Sequence, residues 1–378
     1  MYELNQEEID AVTTVLRSRK LFRYQGKSEL SECQHFEQEF ASYLGASHAL
    51  MVSSGTNALL NALRTLGIGA GDEVLIPCFT FVATAAAVLQ VGATPVLVNI
   101  DDSLTMDPAD AKKKITPRTR AILPVHMDGL PCAMDKLSSL AREQGLFLLE
   151  DVAQAPGGSF QGKKLGTFGD AGCFSFNVDK IISCGEGGAV VFSEEERFKK
   201  ALLNHDPAVS YGLTHREYLQ DFTPVPGNSM RVSEISGALM RVQLRRLDEI
   251  LERLRRNKRI LREALSPAEI DYVSALDPEG DCGTSLHLRL PDPLRMSQIS
   301  KNLFTQGITC YPTGARPAHT YGQWLNLLRL DESATRSLQT DLAPSKILLS
   351  TSLKIQVQPD WTEGETAEKA LRIIQAVK

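Results

Sequence analysis

The sequence predicts an α/β fold: a mostly parallel central sheet with flanking helices, followed by a smaller C-terminal α+β domain. Short apolar runs alternate with helical patterns between residues 48 and 193, which is typical of parallel strands buried on both faces. One long helical pattern, 231–265, then leads into a second α+β segment. We therefore expect a large domain at 1–245 and a small domain at 246–378, which suits domains of roughly 100–200 residues.

The elements follow one another along the chain. An amphipathic helix is expected at 5–19. The apolar runs that predict strands are HALMVS (48–53), VLIP (74–77), TPVLVNI (94–100), AILPVH (121–126), LFLLED (146–151), CFSF (173–176) and GGAVVFS (187–193). The helical patterns between them are GTNALLNALRTLG (55–67), FVATAAAVLQVG (81–92), DPADAKKKI (107–115) and MDKLSSLAREQG (134–145). A last helix is expected near 363–377, because Thr362-x-x-Glu365 forms a capping box before an apolar stripe.

Composition excludes several classes of function. The chain has 378 residues, is 43% hydrophobic and 23% charged, and carries a net charge of -5, which argues against nucleic acid or an anionic membrane as partner. No apolar run reaches the roughly 18–20 residues that span a bilayer, and the N-terminus lacks a signal-peptide pattern. Seven cysteines without a C-x-x-C pair indicate free thiols and no metal site. We therefore expect a cytoplasmic protein.

A candidate phosphate cradle follows the first strand. Ser53, Ser54, Gly55 and Thr56 directly open a helix. Ligands of open parallel sheets lie at the carboxyl ends of the strands, and backbone N–H groups at a helix N-terminus bind phosphate, which a small glycine lets approach. The alternative is an ordinary Ser/Thr N-cap, and this motif alone favours that alternative.

Two further strand ends carry charged residues. Asp151 ends an apolar strand, where a carboxylate is costly unless it is paired; it either caps a helix or faces a protonated heterocycle. Lys180 lies in FSFNVDKIISCGEGG, close to apolar residues on both sides. A lysine in a partly apolar pocket has a lowered pKa, which makes its amine a nucleophile and a base, although an isolated lysine of this kind is more often structural.

The order of these features predicts a pyridoxal 5'-phosphate (PLP) site. The cradle at Gly55 anchors the phosphate, and the Asp151 carboxylate keeps the pyridine nitrogen protonated. Lys180 forms a Schiff base with the cofactor and later moves a proton. Each feature is weak by itself, but the three together define one kind of site.

Longer segments of the sequence resemble a known family, the nucleotide-sugar aminotransferases of the DegT/StrS type. Members of this family are fold-type-I PLP enzymes. The segments are FEQEFASYLGASHALMVSSGTNALLNAL, GAGDEVLIPCFTFVATAAAVLQVGATPVLVNID, LLEDVAQAPGGSFQGKKLGTFGDAGCFSF, K-x-x-x-CGEGGAVV and RVSEISGALMRVQLRRLD, which cover most of residues 36–250. The C-terminal third matches this family only loosely.

The resemblance implies a role for each matching residue. Lys180 is the implied Schiff-base lysine, Asp151 pairs with the pyridinium, and Gln154 bonds the phenolic oxygen. The implied phosphate-binding residues are Ser54, Gly55, Thr56 and Ser175. Phe81 is expected to stack on the cofactor ring, with core packing as an equal alternative.

The resemblance also implies a homodimer with shared active sites. The family often places an asparagine two residues before the arginine that matches Arg231, and it reaches the partner's phosphate. Here that position is Ser229, preceded by Asn228, and either side chain could serve. Arg231 is a candidate contact for a donor carboxylate. Tyr311 and His319 lie in an expected substrate-facing loop, although a loop histidine without a ligand role is the commoner case.

The expected activity is a PLP-dependent transamination. An amino group passes from glutamate or glutamine to a keto group of a sugar, expected to be nucleotide-linked, or of a related polyol. The alternatives are a keto-sugar dehydratase or epimerase on the same scaffold, and a non-catalytic PLP-binding regulatory protein. In the dehydratase branch histidine replaces the lysine, and position 180 is lysine. Specificity is assigned to the loops 204–226 and 311–325.

Overall fold

The structure, a computed structural model, describes residues 3–24, 31–207, 223 and 225–378. The α-helices of these residues are α1 Gln6–Ser18, α2 Glu32–Leu44, α3 Gly55–Thr65, α4 Val82–Gln90, α5 Pro108–Lys113, α6 Met134–Gln144, α7 Glu195–His205, α8 Glu234–Leu265, α9 Pro293–Thr305, α10 Tyr321–Trp324, α11 Glu332–Asp341, α12 Ala343–Ser350 and α13 Glu363–Val377. The strands are β1 His48–Val52, β2 Glu73–Pro77, β3 Thr94–Val98, β4 Thr119–Ile122, β5 Phe147–Asp151, β6 Ser159–Phe160, β7 Lys163–Lys164, β8 Ala171–Ser175, β9 Gly188–Phe192, β10 Ser285–Arg289, β11 Cys310–Pro312 and β12 Ser352–Gln356.

The central sheet of the described chain has the strand order β1-β9-β8-β5-β4-β2-β3. The neighbours from β8 to β3 pair in parallel, whereas β9 runs antiparallel to both β1 and β8. The predicted mostly parallel sheet with flanking helices is therefore confirmed. One predicted strand, AILPVH, is too long: β4 ends at Ile122, since Pro124 has no N–H to continue a ladder.

Apolar layers cover both faces of this sheet. On β2, Leu75 packs into one layer together with Phe36 of α2, while Ile76 packs into the other layer with Leu59 of α3 and Val88 of α4. Successive side chains of a strand point to opposite faces. Burial on both faces thus explains the nearly continuous apolar runs of the sequence.

Helix ends follow local side-chain chemistry. The predicted capping box of the last helix is confirmed: Thr362 Oγ1 accepts from the Glu365 N–H at 3.2 Å, and Glu365 Oε2 accepts from the Thr362 N–H at 2.8 Å. Both bonds satisfy N–H groups that an α-helix leaves unpaired at its start. The helix accordingly begins at Glu363.

The C-terminal part contains a smaller antiparallel sheet in the order β10-β12-β11. Helices α9 and α13 pack beside it, and the 32-residue helix α8 contacts α1, α2 and α13. The domain boundary after residue 245 falls within α8, so the division into 1–245 and 246–378 stays a prediction. Among the described helices, none combines the length and apolarity needed to cross a membrane.

Candidate active site

A cavity of about 540 Å³ opens at the carboxyl ends of the parallel strands, between the central sheet and the C-terminal sheet. Both sheets supply its walls. The predicted site residues that line it are Ser54, Gly55, Thr56, Phe81, Asp151, Gln154, Ser175, Lys180, Tyr311 and His319. The structure thus brings together residues that lie more than 260 positions apart in the chain.

The start of α3 forms one end of the cavity. Ser54 is its N-cap, and Ser54 Oγ accepts from the Asn57 N–H at 3.1 Å. A Cβ built on Gly55 would lie 2.7 Å from the Ser175 Cβ, so only glycine lets the helix start approach the end of β8 this closely. Ser54 is therefore an N-cap. This capping bond still leaves the first N–H groups of α3 available to an anion.

Asp151 is buried at the end of β5. Its Oδ2 accepts from Thr84 Oγ1 at 2.9 Å, and its Oδ1 accepts from the Ala153 N–H at 3.1 Å. Burial raises the pKa of this carboxyl, although these two bonds and the charge of Lys180 oppose the rise. Ala153 lies outside any described α-helix, so Asp151 is no helix cap. The carboxylate has no ion-pair partner among the described residues, which fits a site for a cationic ring nitrogen.

Lys180 follows β8 and faces the same cavity. Within the described chain, its Nζ makes no hydrogen bond or ion pair. Burial lowers the pKa of Lys180, and the nearby carboxylates of Asp151, Asp179 and Asp128 only partly oppose this effect. The lysine therefore has the properties of a nucleophilic amine and not those of a solvated surface charge.

Gln154 is fixed by a residue that the sequence analysis missed, Asp128. Gln154 Oε1 accepts from the Asp128 N–H at 3.0 Å, so the amide NH₂ is the end left for a ligand. Asp128 has a positive φ of 56°, an uncommon conformation outside glycine. This backbone geometry therefore determines which way the Gln154 amide presents its donor.

The Asp128 carboxylate connects the two sheets. It lies 2.6 Å from Lys354 Nζ and 2.6 Å from Arg316 Nη1, while His287 Nε2 lies 3.2 Å away. Although burial acts to raise it, the pKa of Asp128 lies well below its ordinary value because Lys354, Arg316 and His287 favour the ionised form. Arg316 and Lys354 also line the cavity. A comparison with Asp151 could have identified Asp128, since Asp151 ends one apolar run of the sequence and Asp128 comes two positions after another, AILPVH.

The outer wall carries aromatic and imidazole rings. The Phe81 ring is 43% exposed, and its centroid lies 5.2 Å from that of His319. Phe81 is therefore not a core residue. His319 Nδ1 lies 2.6 Å from the Pro317 carbonyl oxygen, so Nδ1 carries the proton and Nε2 is free to accept. Burial and the adjacent Arg316 lower the pKa of His319 to about 4.

The remaining predicted residues lie elsewhere. Asn228 and Ser229 are exposed and do not line the cavity of their own chain. Arg231 also lies outside this lining and pairs with Asp206 at 2.5 Å, so its contact with a donor stays a prediction. Most of the predicted specificity loop 204–226 falls outside the described residues, whereas 311–325 is described.

Sequence comparison identifies a family. The sequence profile of the DegT/DnrJ/EryC1/StrS aminotransferase family matches residues 2–361. A 3-amino-5-hydroxybenzoate synthase of Amycolatopsis mediterranei (strain S699) is 42% identical over 221 residues, which are 58% of this chain and 56% of the relative. A GDP-perosamine synthase of Caulobacter vibrioides is 41% identical over 217 residues, 57% of each chain. The matched regions thus span little more than half the length of these relatives.

Solved structures match over the whole chain. A crystal structure of a 3-amino-5-hydroxybenzoic acid synthase has a TM-score of 0.87 at 30% identity, and covers 100% of this chain and 98% of its own. An aminotransferase from Psychrobacter cryohalolentis has a TM-score of 0.85 at 28% identity, with 100% and 97% covered. The architecture described above is therefore that of solved aminotransferases.

Proposed function

This chain belongs to the DegT/DnrJ/EryC1/StrS aminotransferase family, and on that premise we propose that it is a PLP-dependent aminotransferase. It transfers an amino group from glutamate or glutamine to a keto group of a sugar, nucleotide-linked or free, or of a related polyol. The single observation that carries the proposal is the convergence of Lys180, Asp151 and the Gly55 helix start on one cavity.

The cavity fits PLP in three respects. The start of α3 offers N–H groups beside Ser175, in a space that a Cβ on Gly55 would fill, and this suits a phosphate. The buried Asp151 lacks an ion-pair partner among the described residues, which suits a protonated pyridine nitrogen. The Lys180 amine, which has no partner in the part of the chain that the structure describes and whose pKa is lowered by burial, suits covalent attachment through its Nζ.

Different residues of the chain have different roles in the proposed reaction. When bound, PLP supplies an electron sink for the charge left when a proton leaves the substrate carbon. Lys180 Nζ accepts and returns that proton, because burial lowers its pKa and so favours the neutral amine that acts as a base. Thr84 and the Ala153 N–H hold the Asp151 carboxylate in position. Gln154 presents its NH₂ group to the cavity, since Asp128 occupies its oxygen.

The functional unit in this proposal is a homodimer with shared sites. Asn228 and Ser229 are exposed and are not among the residues that line the cavity of their own chain. In the proposed dimer one of the two side chains reaches the cofactor phosphate of the neighbouring subunit. The family membership supports this arrangement.

A two-step absorbance experiment tests the activity. The protein is loaded with PLP, freed of excess cofactor, and given L-glutamate or L-glutamine alone. The proposal predicts that the visible absorbance of bound PLP is lost with one of these donors and returns when a keto-sugar substrate is added. A non-catalytic binder would keep its absorbance throughout, and this outcome would reject the aminotransferase proposal.

A further inference from the structure

Two basic side chains of the C-terminal part face the cavity, Arg316 from the loop after β11 and Lys354 from β12, and we call this pair the cationic wall. Lys354 lies on β12 and is 8% exposed, and the Arg316 side chain is 13% exposed. Both residues line the cavity that contains Lys180. Buried basic groups require compensating anions, so the anions around this wall decide what it can bind.

The Asp128 carboxylate accepts hydrogen bonds from only one of the three guanidinium nitrogens of Arg316. Arg316 Nη1 lies 2.7 and 2.6 Å from the two Asp128 oxygens. The Nε and Nη2 groups of the same guanidinium make no hydrogen bond among the residues that the structure describes. A guanidinium offers five N–H donors in a planar fork that matches a carboxylate. Arg316 is thus fixed in position while donors remain for a ligand.

The cationic wall contains more positive than negative charge. Asp128 is the anion in direct contact with it, and it faces Arg316 and Lys354 together. Burial lowers the pKa of His287, the third neighbour of Asp128, so His287 does not add an obligatory charge. Burial also lowers the pKa of Lys354; Asp128 opposes this change, while Arg316 and Lys180 reinforce it.

The phosphate cradle of the proposed cofactor lies on other elements. It is built by the start of α3 and the end of β8 in the central sheet, whereas Lys354 belongs to the C-terminal sheet. A cofactor phosphate held at the cradle therefore leaves the cationic wall for the substrate. Both half-reactions of a transamination use the same cavity, and an acceptor whose sugar carries no acid group would leave the Arg316 fork without a carboxylate in the second one.

We propose that the cationic wall is a carboxylate subsite used in both half-reactions, and hence that the natural acceptor is a keto-sugar acid. This inference rests on the proposed function and specifies its substrate class. In the first half-reaction the fork of Arg316 binds a carboxylate of the amino donor. In the second it binds the acid group of the sugar, with Lys354 beside it and Asp128 holding both cations in place.

Calorimetric binding of matched sugars to the PLP-loaded protein tests the subsite. The pairs are galacturonate with galactose, glucuronate with glucose, and gluconate with glucitol, and glutarate serves as the donor-like acid. We expect at least one acid to bind about tenfold or more tightly than its neutral partner. Arg316→Gln should abolish this preference, and Arg316→Lys should retain part of it. Arg336→Gln, which alters an exposed arginine whose ion-pair partner within the described ranges is Glu332, should leave the preference unchanged.

Three outcomes would overturn the inference. The first is that no acid binds more tightly than its neutral partner in the unaltered protein. The second is that the Arg316 variants weaken the binding of acids and of neutral sugars equally. The third is that only glutarate binding depends on Arg316. The cationic wall would then bind the donor alone, which contradicts an acidic acceptor. Loss of PLP absorbance with glutamate, measured on the same preparations, separates this inference from the proposed function. If the unaltered protein shows no such loss, the proposed aminotransferase activity itself is contradicted. If Arg316→Gln does not fold, Arg316→Lys carries the test.

Discussion

Gly55 and Ser175 lie in such close contact that a Cβ at position 55 would stand 2.7 Å from the Ser175 Cβ. The two residues come from the start of α3 and the end of β8, which are neighbours only in the folded chain. Their approach creates the small space in which we place the cofactor phosphate. A substitution of Gly55 by alanine adds only one methyl group, and it adds it at this contact.

Gly55→Ala should weaken PLP binding and lower thermal stability. The added methyl group overpacks the contact with Ser175, which costs about 1–3 kcal/mol, and it occupies phosphate space. The measurements are the PLP dissociation constant and the free energy of unfolding. Gly364→Ala is the matched control, since nothing lies within 4 Å of its Cβ position. Adding Ser175→Gly should restore stability without restoring PLP affinity; full tolerance of Gly55→Ala would contradict the cradle.

Asp151→Asn should retain PLP and lose most activity. An amide cannot keep the ring nitrogen protonated, and removing one partner of a buried pair costs about 3–5 kcal/mol. We expect kcat/KM to fall by roughly a hundredfold or more. Asp135→Asn, at an exposed position on α6, serves as control. A rate close to that of the unaltered protein would remove Asp151 from the proposed site.

Asp128→Asn should destabilise the protein in a pH-dependent way. The folded-state pKa of Asp128 is lowered, so its ionised form adds stability above the unfolded pKa of about 4, and this stability is lost as the pH falls. The difference in free energy of unfolding between the unaltered protein and the variant should therefore be large near pH 7. It should shrink as the pH falls from about 5 toward 3. A pH-independent difference would mean that Asp128 acts only through packing.

Mixing two inactive variants tests the shared active site. Lys180→Ala removes the amine from its own cavity, while the double variant Asn228→Ala/Ser229→Ala removes both candidates for the contact across the dimer. In a mixed dimer one site keeps an intact Lys180 and receives an intact Asn228 and Ser229 from the other chain. We expect activity to reappear on mixing after subunit exchange. Activity that stays absent in verified mixed dimers would argue against the shared phosphate contact.

Much of the central sheet could be predicted because its strands are buried on both faces and therefore appear as apolar runs. The two charged residues that we propose face the cofactor were equally accessible: Asp151 ends one such run and Lys180 follows another. For the strands and for these two charged residues, the local sequence pattern indicates where the residue lies in the folded chain. The same logic applied to β4 would have pointed to Asp128, which follows that strand.

Other features have no local signal. Arg316 and Lys354 approach Asp128 from distant parts of the chain, and only the packing of the C-terminal sheet brings them together. In the sequence, Lys354 is one residue of an amphipathic strand and Arg316 one residue of a Pro-rich loop. The positions of Asn228 and Ser229 relative to a cavity depend on a second chain, which no intrachain pattern describes.

The proposed function depends on covalent attachment of PLP to Lys180. The most direct measurement is borohydride reduction of the PLP-loaded protein, followed by digestion and mass spectrometry of the peptides. We predict one stoichiometric pyridoxyl modification, located on Lys180, and none in Lys180→Ala, which should still hold PLP noncovalently but show no turnover. Modification of another lysine in place of Lys180, or none in a protein that transaminates, would contradict the account.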